Sequence, residues 1–160
     1  MVLFSFLLIT LYIIYFVIKY EIPHSLSATY YYLKNKWIFS AVLAVSSLMI
    51  LPIMLSSPYS FLCFFGVTGV LFVSATPNFR DNELVDSVHT WSAIISLISL
   101  QLWVGLTNSI SLCVWIPFLI YLSVQLFKYK SLKKILEQSN IKFYAEIFIF
   151  LSVYLILFFN

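Results

Sequence analysis

Six stretches of this chain run for 16–19 residues with at most one charged side chain each: residues 2–18, 37–55, 61–76, 88–106, 110–127 and 143–159. A hydrocarbon core of about 30 Å needs roughly 20 mostly apolar residues to be crossed by a helix. Backbone in lipid has no water to bond, so its N–H and C=O groups must be satisfied within the helices. The spacing therefore predicts an all-α integral membrane protein, a single domain over residues 1–160 built as a bundle of six transmembrane helices. The third stretch is short and must borrow flanking residues or stand upright. Composition agrees, with 62% hydrophobic and 9% charged residues, against about 25% charged in soluble domains. A water-soluble fold of this size has too little interior to hide so much apolar surface. Soluble enzymes, nucleic-acid modules, disordered tails and disulfide scaffolds are excluded.

Charge orients the bundle. All nine basic residues lie in or beside the first, third and fifth loops: Lys19, Lys34 and Lys36, then Arg80, then Lys128, Lys130, Lys133, Lys134 and Lys142. The second loop (Ser56–Ser60) and the fourth (Thr107–Ser109) carry no charge. The positive-inside rule makes the odd loops cytoplasmic and places both termini outside. The first span has no basic residue before Lys19 and no small-residue cleavage pattern after it, so a retained helix is expected rather than a signal peptide. The expected location is the cell membrane, multi-pass, as in a bacterial inner membrane. The net charge of +3 reflects topology, and no nucleic-acid partner is expected.

Two loops predict short helices lying on the membrane. After Pro23, Ser25 is positioned to cap a helix whose Leu26, Tyr30, Leu33 and Trp37 form an apolar stripe. In the fifth loop Leu132, Ile135 and Leu136 share a face surrounded by lysines, the composition of a segment drawn to anionic headgroups.

Polar side chains inside the spans are the informative ones. In the fourth span His89, Ser92, Ser96, Ser99 and Trp103 recur every three or four residues and share one seam. Small residues on a seam allow close helix packing, and the same seam would form a polar track running from His89. Asp86 or Ser87 is placed to cap that helix. Glu146 opens the sixth span, where a carboxyl needs a partner, with His89 or Lys142 available. Gln101 and Gln125 need interhelical hydrogen bonds. Glu21, His24, Ser25, Ser27 and Thr29 come to the same face in the first loop, and Asp81 and Glu83 in the third. The expected ligand-binding residues are His24, Asp81, His89, Gln101 and Glu146, gathered at the cytoplasmic side.

Ser25 or Ser27 with His89 and Asp86 supplies the residue types of a nucleophilic triad, though no G-x-S-x-G elbow accompanies them. His24, His89, Asp86 and Glu146 have the donor types of a mixed zinc site, but HExxH and close histidine pairs are absent. No metal or cofactor is expected. Cys63 and Cys113 are expected as buried free thiols, Gly66 and Gly69 as a close-approach surface, and Pro52 and Pro117 as kinks tolerated in lipid. Paired broken helices of the secondary-transporter kind are not evident.

The run Leu71–Ser96 resembles uncharacterised six-helix families of the DUF998 and Frag1/DRAM type. The shared pattern is a small-residue and proline turn (Pro77), an acidic loop (Asp81, Asp86) and a His-x-x-x-Ala helix opening (His89, Ala93), with a serine-bearing first loop (Ser25 to Ala28). The resemblance covers about a sixth of the chain and implies the fold and the position of a polar site, without an activity. The leading expectation is a small membrane protein that binds a lipid, a ligand or a protein partner at its cytoplasmic face. The alternatives are a membrane-embedded lipid-headgroup hydrolase using His89, Asp86 and a first-loop serine, and a channel or transporter formed by homo-oligomerisation.

Overall fold

A computed structural model of the chain describes residues 1–159, and every regular element among them is helical. The order is α1 (Val2–Tyr20), α2 (Thr29–Tyr32), α3 (Trp37–Leu55), α4 (Ser60–Ala75), α5 (Glu83–Thr107), a 3-10 segment (Ser109–Trp115) running into α6 (Ile116–Tyr129), α7 (Leu132–Gln138) and α8 (Ile141–Phe159). Five segments are long and apolar enough to cross a membrane: α1, α3, α5, the 3-10 segment with α6, and α8. The apolar α4 has 16 residues, which at about 1.5 Å per residue reach only about 24 Å.

Local chemistry sets the boundaries. Helix α5 starts at Glu83, five residues before the start expected at residue 88, because Asn82 caps it: the Asn82 side-chain oxygen accepts the Leu84 N–H at 2.8 Å. The cap expected at Asp86 or Ser87 is thereby corrected, and Glu83 and Asp86 instead occupy the first turn, where the helix dipole favours negative charge. Asn108 caps the 3-10 segment in the same way, accepting from the Ile110 N–H at 3.2 Å. Pro117 then falls in the first turn of α6, where a missing N–H leaves no hydrogen bond unmade. It opens a helix instead of kinking one.

Packing centres on α4 against α5. A Cβ on Gly66 would come within 2.6 Å of the Leu100 side chain, and one on Gly69 within 2.7 Å of the Ser92 carbonyl and 2.8 Å of Ser96 Cβ. These two glycines let the backbones meet, and they meet along the predicted seam. His89, Ser92, Ser96, Ser99 and Trp103 are all buried. Helix α3 packs on α4 and α1, and α8 packs on α5, α1 and the 3-10 segment. Buried hydrogen bonds bind the layers together. Ser5 of α1 donates to the Ser46 carbonyl of α3 at 2.8 Å and shares a hydrogen bond with the Tyr154 hydroxyl of α8. Trp103 Nε1 donates to Ser57 Oγ at 3.0 Å, tying α5 to the uncharged second loop. Leu3, Phe4, Leu11, Ile18, Phe61 and Phe127 point outward, a surface matched to hydrocarbon rather than water.

Both loop helices differ from expectation. Helix α2 is a single turn; in and beside it Leu26, Ala28, Thr29 and Leu33 are buried while Trp37 is exposed, so the stripe ends at Leu33. Tyr12 and Thr29 share a hydrogen bond and Thr29 donates to the Leu26 carbonyl, which rotates the turn toward its polar anchor. In α7 Ile135 packs inward, against Phe118 and Ile141, while Leu132 and Leu136 are exposed. Cys63 is a buried free thiol, as expected; Cys113 is free but exposed, because the peripheral 3-10 segment and α6 bury few of their side chains.

Candidate functional site

The three charged loops meet at one end of the bundle, and two hydrogen bonds bring the first loop onto α8. Pro23 prevents a continuous helix after α1, and the Ser25 hydroxyl accepts the Ala28 N–H at 3.1 Å to start a turn. That turn leaves the His24 carbonyl free to accept the Phe143 N–H at 3.2 Å, one of the donors a helix start leaves unpaired. It also points the Leu26 N–H at α8, where a Glu146 carboxylate oxygen accepts it. Glu146 therefore has a partner, which is neither His89 nor Lys142 but a backbone amide.

Beneath this clasp lies a chamber of about 70 Å³. Glu146, Ser27 and Ser96 are its polar lining, and Leu43, Val70, Ala93, Leu100 and Phe150 are among its apolar walls. That space holds a few water molecules or one small polar group, not a whole lipid. Leu97, 39% exposed on the outside of α5, also lines it. The chamber wall thus includes one residue, Leu97, that also reaches the outer surface of α5. Helix α6 packs on α8, α7 and the 3-10 segment, while α5 meets chiefly α4, then α8 and the 3-10 segment.

His89 belongs to a second arrangement. Its Nδ1 donates to the Thr76 carbonyl at 2.9 Å, and since a carbonyl can only accept, Nδ1 carries the proton. Phe79 stacks on the imidazole with ring centres 4.4 Å apart, and Tyr31 meets Phe79 edge-on at 5.5 Å. The Arg80 N–H donates to the Tyr31 hydroxyl at 2.8 Å, and its guanidinium lies 4.7 Å over the Tyr31 ring. An aromatic column thus latches the third loop onto the first. The pocket expected to hold Glu146, His89, Asp86 and the Ser25–Ser27 segment together is split. Glu146 and Ser27 line the chamber, His89 sits in the latch, and Asp86 is exposed on the first turn of α5.

The remaining candidates fall in several places. Ser25 is occupied with its turn, and among the described residues no hydrogen bond joins Ser25, Ser27, Asp86 and His89 into a nucleophilic relay. The four donors of the mixed zinc set are not gathered either: among the described residues no three His, Cys, Asp or Glu side chains stand close enough to hold a metal. Asp81 is exposed in a loop turn closed by its own N–H on the Asn78 carbonyl. Gln101 donates to Ser152 at 3.0 Å and accepts from Trp115 Nε1 at 2.9 Å, and so joins α5, α8 and the 3-10 segment. His24 lies in the first loop. Partial burial, followed by the positive charges of Lys142 and Arg80, holds its imidazole below the usual histidine pKa.

Sequence reasoning missed the Leu26 N–H, because a backbone amide carries no residue signature. It also missed Thr76, Phe79 and Tyr31. The aromatic content of both loops was the available signal for the last two. No family model, curated protein or solved structure matches this chain.

Proposed function

We propose that this chain is a six-span protein of the cell membrane that binds the polar head of a small amphipathic molecule in the Glu146 chamber, at the cytoplasmic end of the bundle. The observation that carries this reading is the carboxylate itself. One oxygen is held by the Leu26 N–H, and the side chain lines a largely apolar space whose wall includes the surface leucine Leu97. A carboxyl oxygen accepts hydrogen bonds. The ligand is accordingly a single hydrocarbon chain with a compact donating head, a hydroxyl or an amine. The cytoplasmic side follows from the positive-inside rule, which also puts both termini outside.

Thermal unfolding of the protein in lipid nanodiscs, with dodecanol, dodecylamine or dodecanoate added, tests the reading. A ligand that binds only the folded state raises its stability by mass action. Dodecanol and dodecylamine should raise the midpoint, and dodecanoate, whose ionised head has no donor to offer Glu146, should not. Glu146→Gln keeps an acceptor for the Leu26 N–H and should abolish this discrimination. Equal responses to all three compounds in the native protein, or a discrimination that survives the substitution, would overturn the proposal.

A further inference from the structure

The opposite flank of α5 carries a second site, independent of the Glu146 chamber. A groove of about 400 Å³ runs between α4 and α5 on the outer surface of the bundle, within the roughly 300–1,000 Å³ of small-molecule sites. Its walls are Phe65, Phe72, Trp91 and Ile95, and its floor is Gly69. The glycine that lets the helices approach also leaves the groove its depth. Trp91, Phe65 and Phe72 are each more than half exposed and face the groove without a protein partner covering them.

The groove has a charged mouth. Glu83, Ser87, Trp91 and Ile95 are spaced by four, so they lie in one line along α5. Glu83 leads that line into a polar cavity of about 340 Å³ shared with Phe79, Arg80, Asn82 and Asp86. The first and fifth loops are rich in lysine, but this segment sets three carboxylates, Asp81, Glu83 and Asp86, beside the single Arg80. The Arg80 guanidinium rests on the rings of Tyr31 and Phe79, and among the described residues no ion pair joins it to Glu83 or Asp86. One fixed cation and two free carboxylates at the head of an aromatic groove match a head that carries both charges.

We propose that the α4–α5 groove binds a zwitterionic phospholipid with a primary ammonium. An acyl chain lies against Trp91, Phe65 and Phe72, the phosphate faces Arg80, and the ammonium is held by Glu83 and Asp86. The carboxylates repel anionic lipids that the lysines elsewhere attract. A quaternary ammonium, with no N–H, cannot donate to them.

Native mass spectrometry of the purified protein tests this, using phosphatidylethanolamine, phosphatidylcholine and phosphatidylglycerol of identical chains. Phosphatidylethanolamine should be retained about tenfold more strongly than phosphatidylglycerol, the ratio that about 1.4 kcal/mol of differential interaction produces, and more strongly than phosphatidylcholine. Glu83→Gln with Asp86→Asn should erase the preference while leaving chain-dependent binding, and Trp91→Ala should weaken all three lipids. All three positions are exposed, so the substitutions leave the buried packing untouched. Glu146→Gln should leave the preference unchanged, which separates this site from the chamber. Equal retention of the three lipids, or a preference that persists without the two carboxylates, would refute the assignment.

Discussion

At the scale of single residues, two positions decide more than their size suggests. Gly69 has the backbone carbonyl of Ser92 where a side chain would begin. A carbonyl in a packed helix cannot swing aside as a leucine tip can, so Gly69→Ala should push α4 off α5. Overpacking of this kind costs about 1–3 kcal/mol, and the loss should show as a lower unfolding temperature in detergent. Gly66→Ala should be milder, because the colliding atoms belong to a side chain, Leu100, rather than to backbone, though Leu100 must repack within the core to yield. His24 gives a pH effect whose sign follows from its surroundings. Burial and the nearby Lys142 and Arg80 charges depress its folded-state pKa, so the unfolded chain takes up the proton first. Stability should then fall as pH drops below the unfolded value of about 6.5 toward the depressed folded one. The effect is small because the ring is only partly buried. Melting curves between pH 7.5 and 5.5 check it, and His24→Gln should flatten part of the slope.

At the scale of elements, the third loop is held by interactions that no single segment contains. Its attachment consists of the Arg80 N–H on the Tyr31 hydroxyl, the Arg80 guanidinium on the Tyr31 ring, and Phe79 between Tyr31 and His89. Tyr31→Phe keeps the ring and removes the hydroxyl, leaving the Arg80 amide without its acceptor. Hydrogen exchange at Arg80 should then quicken, while the amides of α4 and the middle of α5 keep their protection, since local opening reports local contacts. Unchanged exchange at Arg80 would mean that the aromatic stacking alone holds the loop. The seam on α5 was legible before the structure because helical spacing is a property of one segment. The helix start at Glu83 was also within reach, as Asn82 is a strong cap residue, but the later apolar run drew the boundary inward.

At the scale of the whole molecule, sidedness is the property to test first. In a Cys63→Ser, Cys113→Ser background, a cysteine at position 108 should react with an impermeant reagent applied outside, and one at position 131 should not. The reverse pattern would invert the bundle and move both proposed sites to the other side. The helical character, the positions of the apolar segments and the inward face of α5 were all readable from the chain. Each depends on composition and period along the sequence, and hydrophobic runs and 3.6-residue spacing survive without knowledge of neighbours. The division of the polar residues was not readable in this way. Glu146 and His89 sit at matching ends of their helices, and sequence distance treats them as candidate partners. Tertiary packing instead gave Glu146 the amide of Leu26 and His89 the carbonyl of Thr76. Backbone groups are the same at every position, so only the fold determines which of them a buried side chain will meet.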